Sequence, residues 1–299
     1  MKNKLFKILG ITVLGMAMLT GCASGSGSAA ESTDNAAGGA ATESSTESST
    51  GNKVVAVGST TVAVPMEELA NKYKEIKPDV VVEVQGVGSS AGVKAIADGT
   101  ADMGMVSREL KESEQSDNIE VTTIAHDGIA IVLNPANGVE DLTSEQVKGI
   151  FEGQITNWSE VGGNDEPIVV VTREDGSGTR SAFEEILGLQ QEIEGKKVSS
   201  IAQTALVAEG NGTIKATVAS KSGAIGFVSL GFIDDTVKAV SVDGVMPTVE
   251  TVKSGEYSVS RPLLVVTDTE STQTTQDFLT FILGDEGQEI ISEKYISVK

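Results

Sequence analysis

The chain of 299 residues holds one cysteine and one histidine, and it sets 22 lysines and arginines against 43 aspartates and glutamates. With Cys22 alone, no internal disulfide can form. With His126 as the single histidine, the His and Cys clusters of zinc sites are missing; the acidic residues show no EF-hand spacing, so no metal or other cofactor is expected. No Gly-Lys-Ser/Thr follows a glycine-rich run, which excludes a P-loop nucleotide site. A net charge of -21 argues against nucleic acid as a partner. No internal repeat is visible, and beyond the N-terminus no apolar stretch is long enough to cross a bilayer.

The N-terminus reads as an export signal. Lys2, Lys4 and Lys7 form a basic start, residues 8–19 a short apolar core, and small residues follow. The segment ends in Leu19-Thr20-Gly21-Cys22, which resembles the lipobox of bacterial lipoproteins, whose cysteine becomes the lipid-bearing first residue of the mature chain. Residues 1–21 are therefore expected to be removed, and residues 22–51 to form a lipidated tether. Residues 23–51 contain only Ala, Ser, Gly, Thr, Glu, Asp and Asn, which cannot build a core; as a flexible coil they would span roughly 30 Å. The expected location is the extracytoplasmic face of the cell membrane, with the membrane reached through Cys22.

Residues 52–299 suffice for two lobes. Apolar runs alternate with segments of helical period, as in 80–84, then 91–97, then 103–106. That alternation argues for parallel βαβ units, whose binding crevice lies at the carboxyl ends of the strands. A first helix is expected from Pro65, with Met66, Leu69, Ala70, Tyr73 and Ile76 on its core face. The apolar runs 128–134 and 262–268 are placed to cross between lobes, giving lobe one as 52–128 plus 262–299 and lobe two as 129–261. Trp158 is expected to pack inside lobe two.

Three junctions share one form. The run 54–57 feeds Gly58-Ser59-Thr60-Thr61; the run 80–84 feeds Gly86-Val87-Gly88-Ser89-Ser90; the run 168–171 feeds Arg173-Glu174-Asp175-Gly176-Ser177-Gly178-Thr179. A strand entering a glycine-rich turn at a helix start aims unpaired N–H groups and the positive end of the helix dipole at one spot, which suits an anion. The guanidinium of Arg173 can hold a tetrahedral oxyanion in bidentate fashion. Asp175 is expected to orient Arg173 and Glu174 to be solvated. Ser177 and Thr179 can also serve as helix caps.

These junctions, with Ala91-Gly92-Val93-Lys94, Ala101-Asp102-Met103-Gly104-Met105-Val106-Ser107-Arg108, Ile155-Thr156-Asn157-Trp158 and Gly223-Ala224-Ile225-Gly226-Phe227-Val228, resemble the phosphate-binding proteins of bacterial phosphate ABC importers. The resemblance covers nearly all of residues 52–299 in the expected order. It implies an α/β, two-lobed periplasmic-binding-protein fold of type II, with mixed sheets, flanking helices and a ligand cleft between lobes. It also implies a monomeric protein that is not an enzyme, which captures inorganic phosphate and delivers it to permease and ATPase subunits. Carried over by position, Thr60, Thr61 (through its N–H), Ser89, Ser107, Arg173, Ser177, Gly178 and Thr179 would contact phosphate, with Ser59, Ser90, Arg108 and Asp175 in support. Family members place an Asp at the position of Ser107, where it accepts the proton of a protonated phosphate; a serine hydroxyl can donate or accept.

Other readings stay open at this point: a site for sulfate or molybdate, a surface adhesion or signalling lipoprotein on the same fold, and a serine hydrolase. The last rests on Gly88-Ser89-Ser90-Ala91-Gly92, which matches the G-x-S-x-G elbow with Ser90 as nucleophile. Such an enzyme needs a histidine late in the chain, and His126 is better placed as a surface or hinge residue at a strand start. Arg108 is expected to pair with Glu109 or Glu112.

Overall fold

The computed structural model describes residues 52–299. The expected signal peptide, Cys22 and the whole of the tether lie outside the described residues. The chain begins β1 (Lys53–Gly58), α1 (Thr60–Ile76), β2 (Val81–Gly86), α2 (Ser89–Ala97), β3 (Met103–Val106) and the long β4 (Ile119–Leu133). It continues through β5 (Asp141–Leu142), α3 (Ser144–Phe151), β6 (Val169–Arg173), α4 (Gly178–Ile186), β7 (Gln190–Ile193), β8 (Lys196–Ser199), β9 (Leu206–Ala208), α5 (Gly210–Ala219), β10 (Ala224–Ser229), β11 (Lys238–Ala239), β12 (Ser241–Val242) and α6 (Val249–Ser254). It closes with β13 (Ser260–Asp268), α7 (Gln273–Leu283), α8 (Asp285–Ser292) and β14 (Ile296–Ser297).

One mixed sheet runs in the order β2-β1-β3-β13-β4-β10-β6-β9. β1 pairs in parallel with β2 and β3, and β6 pairs in parallel with β10 and β9, so each end of the sheet is a parallel βα unit. β4 joins the two ends. Its residues up to Gly128 pair antiparallel with β13, and from Ile129 onward with β10. The chain returns through Val259, whose carbonyl accepts the Ile129 N–H at 2.8 Å. The apolar run 262–268 thus lies inside β13, beyond the point of return, where Leu264 to Val266 also pair with β3.

Parallel strands with helices on both faces read as apolar runs because neither face meets water. On one side of the first parallel unit, Val62, Met66, Leu69 and Tyr73 of α1 meet Phe278, Ile282 and Ile291 of α7 and α8; on the other, Val93 and Ile96 of α2 meet Val106, Leu264 and Val266. In the second unit, Phe183 stacks on Phe227 at 4.0 Å between ring centres, with Phe151 edge-on to Phe183. Trp158 is buried with them, its indole N–H donating to the Gly223 carbonyl at 3.0 Å. Burying one such side chain contributes about 1.5–3 kcal/mol.

The first helix starts five residues before Pro65, the start expected from sequence. Ser59 caps it, and Pro65 lies inside. Proline has no N–H to give the Thr61 carbonyl. The buried Tyr295 hydroxyl donates to that carbonyl instead, at 3.4 Å. Tyr295 arrives with β14, which pairs with β4.

Candidate anion site

Among the described residues, four helices of eight or more residues begin at the carboxyl ends of parallel strands of the main sheet: α1 after β1, α2 after β2, α4 after β6 and α5 after β9. Each N-terminus carries unpaired N–H groups and about half a positive charge. Their first turns touch. The Ser90 N–H donates to the Gly176 carbonyl at 3.2 Å, and the Thr61 and Thr179 hydroxyls lie 3.3 Å apart. Gly178 packs so closely on Ser89 and Ser107 that a methyl group there would fall on both hydroxyls. Gly58 makes the first turn possible: its φ is +142°, and a side chain there would overlap the Met105 backbone.

The buried hydroxyls form chains. Ser59 accepts from the N–H groups of Thr61 and Val62, at 3.1 and 3.3 Å, and donates to Ser107 at 2.8 Å. Ser107 in turn donates its N–H to Ser89 Oγ at 3.1 Å and lies 3.3 Å from it through its hydroxyl. Thr61 Oγ1 accepts from Asn211 Nδ2 at 2.9 Å and from Arg261 Nη2 at 3.3 Å.

Arg173 is 1% exposed. Its Nε and Nη2 donate to the two oxygens of Glu174 at 2.8 and 2.7 Å, and Nη2 also reaches Thr60 Oγ1 at 3.2 Å. Nη1 is buried without an acceptor among the described residues. A buried guanidinium nitrogen with no acceptor is costly unless a ligand oxygen meets it. Arg261 is likewise paired, with Asp127 Oδ2 at 3.0 Å, and Arg108 with both oxygens of Glu114 at 2.7 and 2.8 Å.

Each of these buried or half-buried cations therefore has its own carboxylate. Net buried charge is close to nil, so oriented N–H groups, hydroxyls and helix ends must do most to hold an anion. Burial pushes the Glu174 carboxyl up, but the Arg173 guanidinium and the Gly210 N–H outweigh it and hold the group below the usual glutamate range. Glu114 is lowered in the same way by Arg108 against its burial. Asp127, fully enclosed, is pushed up by burial against the pull of Arg261. A separate groove of about 310 Å³, lined by Glu174, Asp175, Arg180 and Val207 among others, opens beside the Arg173–Glu174 pair and includes none of the clustered hydroxyls.

A model of the PBP superfamily domain matches residues 40–286. The phosphate-binding protein PstS of Bacillus subtilis is 31% identical over 302 residues, spanning 99% of this chain and 95% of that protein. The chain belongs to the PstS family of the PBP superfamily. Among solved structures, a putative phosphate ABC transporter substrate-binding protein from Clostridium perfringens, with bound phosphate, is 45% identical with a TM-score of 0.79, covering 83% of this chain and all (100%) of that one. An ABC-type phosphate transport receptor from Vibrio cholerae is 42% identical with a TM-score of 0.70, covering 82% and 99%. The mixed α/β fold with flanking helices is that of these periplasmic-type proteins.

In this PstS-family chain, Thr60, Thr61, Ser89, Ser107, Arg173, Ser177, Gly178 and Thr179 all lie at the joined strand ends described above, with Ser59 and Ser90 beside them. Several details differ from expectation. Glu174, not Asp175, clamps Arg173; Asp175 points to solvent and pairs with Arg180 at 2.8 Å. The turn brings residue 174 back along the strand end while residue 175 sits at its tip. The Thr61 N–H is taken by the Ser59 cap, leaving its hydroxyl as the group inside the cluster. As the sequence allows, Ser177 Oγ caps α4 by accepting from the Arg180 N–H at 3.2 Å. Arg108 pairs with Glu114 rather than Glu109 or Glu112, because the short helix at 112–114 folds Glu114 back over it.

Ser90 Oγ accepts from Arg108 Nη2 at 3.1 Å, and a guanidinium cannot take a proton as a general base would. His126 lies exposed within β4 rather than at a strand start. Asn211, Glu174, Asp127 and Arg261 were not expected at the site. Asn211 had a visible signal, since Gly210-Asn211-Gly212 repeats the strand, glycine and helix pattern of the other junctions. Asp127 and Arg261 had another: each is a charge set just before an apolar run, 128–133 in β4 and 262–266 in β13.

Proposed function

We propose that this chain is an extracytoplasmic solute-binding protein that captures inorganic phosphate and delivers it to the permease and ATPase subunits of an ABC importer. The observation that carries the reading is the buried Arg173 Nη1, without an acceptor among the described residues, amid four helix N-termini and a cluster of buried hydroxyls. The ligand shell is Thr60, Ser89, Ser107, Arg173, Ser177, Gly178 and Thr179, with the Thr61 hydroxyl behind Thr179. Glu174 and Asn211 hold it from behind, and Ser59, Ser90 and Arg108 buttress it. The lobes 52–128 plus 262–299 and 129–261 close on the ligand, which removes it from water and strengthens each charge-assisted hydrogen bond. The chain acts without turnover, as a monomer held to the outer face of the cell membrane by a lipid on Cys22.

Calorimetry with phosphate, sulfate, arsenate and molybdate tests the ligand. Phosphate should bind and sulfate should bind far more weakly. No phosphate binding, or sulfate binding of equal strength, would overturn the assignment. Cys22→Ser should move the chain from the membrane fraction to the medium, and a variant that stays with the membrane would refute the anchor.

A further inference from the structure

The buried ion pair where the strands cross is not accounted for by stability. Arg261 is the second residue of β13 and faces Asp127 of β4 in register, next to Gly128, after which β4 changes partner. Asp127 is fully buried and Arg261 4% exposed. A well-packed apolar pair of similar volume at such a place is often as stable or more so. What an apolar pair cannot do is what the Arg261 fork does here: Nη1 donates to the Ser107 carbonyl at 3.1 Å, while Nη2 reaches both Asp127 and the Thr61 hydroxyl.

We propose that Arg261 is a positioning residue for anion capture, which sets the direction of the Thr61 hydroxyl and so links closure of the site to the strand crossing. A hydroxyl oxygen has two lone pairs and one proton. On Thr61 the lone pairs receive Asn211 Nδ2 and Arg261 Nη2, so its proton goes to Thr179 Oγ1. The Thr179 proton is then left to donate to a ligand oxygen. Arg261 fixes this order from one side and Asn211 from the other, and the same guanidinium holds the backbone that carries Ser107. Asp127 serves as the counter-charge that allows the guanidinium to be buried. A planar fork is required, because a lysine ammonium cannot reach the Ser107 carbonyl, Asp127 and Thr61 with the same geometry.

This inference rests on the phosphate reading, and one experiment separates the two. The full chain, Arg261→Met/Asp127→Leu, Thr61→Val and the triple variant are titrated with phosphate by calorimetry and melted without it. The paired variant removes both charges together, so none is left orphaned. It should melt with the wild type, yet bind phosphate about ten- to a hundredfold more weakly, as expected for a lost charged hydrogen bond. In the Thr61→Val background the same two changes should cost less than about threefold, because the hydroxyl they orient is gone. Arg261→Lys should fall between, and it carries the same cycle if the paired variant does not fold. Wild-type affinity in the paired variant, or full additivity with Thr61→Val, overturns the inference while leaving phosphate binding intact. A wild-type chain that binds no phosphate overturns both.

Discussion

Glu174→Gln and Asp175→Asn differ by one position and should differ sharply in effect. Glutamine keeps one acceptor for the Arg173 fork but sets an NH2 against its second donor, and it removes the carboxylate that balances the buried guanidinium. Breaking a buried pair costs about 3–5 kcal/mol; with the Glu174 side chain 22% exposed, solvent relieves part of this and about 2–3 kcal/mol is expected. For a folded part of this size that lowers Tm by about 5–10 °C. Asp175→Asn should leave Tm within about 1 °C, since its side chain is 98% exposed and surface pairs contribute little. Bound phosphate brings negative charge back to Arg173, so saturating phosphate should narrow the gap between Glu174→Gln and wild type. Scanning calorimetry with and without phosphate reads all of this. An unchanged apo Tm in Glu174→Gln would refute the clamp, and an unchanged gap at saturating phosphate would refute contact between Arg173 and the ligand.

The folded Glu174 carboxyl sits below its ordinary value of 4.5, so its contribution is complete above that pH and is lost as pH falls through the lower folded value. Acid unfolding followed by circular dichroism should therefore show a steeper limb below pH 4.5 in wild type than in Glu174→Gln, and coincident limbs would refute it. Gly178→Ala sets a methyl against the buried Ser89 and Ser107, so despite the better helix propensity of alanine apo stability should fall by about 1–3 kcal/mol, and phosphate affinity should drop more than about tenfold, a loss of about 1.4 kcal/mol or more. Tyr295→Phe should cost about 1–2 kcal/mol of stability in urea unfolding by leaving the Thr61 carbonyl without a donor, and no loss would show that the Pro65 gap is filled otherwise.

The strand ends and their turns were legible because they are local: an apolar run stops at glycine, and hydroxyls follow at a helix start. The start of α1 was misplaced because Pro65 outweighed Ser59 as a signal, and the remedy for the missing N–H comes from Tyr295, far along the chain. The choice between Glu174 and Asp175 turns on the shape of one turn, which composition does not specify. Arg261 and Asn211 reach the site through pairings 200 and 150 residues apart in sequence, beyond any periodicity.

Those separations bear on when the site comes into being. Thr61 is bonded to Thr179, Asn211, Arg261 and Tyr295, at 118, 150, 200 and 234 residues along the chain. A chain emerging amino end first can form β1, α1 and β2 early, but Thr61 lacks its neighbours until the last few residues arrive. Contacts of such long range also form late in folding. Ligand capture is thus a property of the finished molecule: a nascent or truncated chain carries the turns without the site.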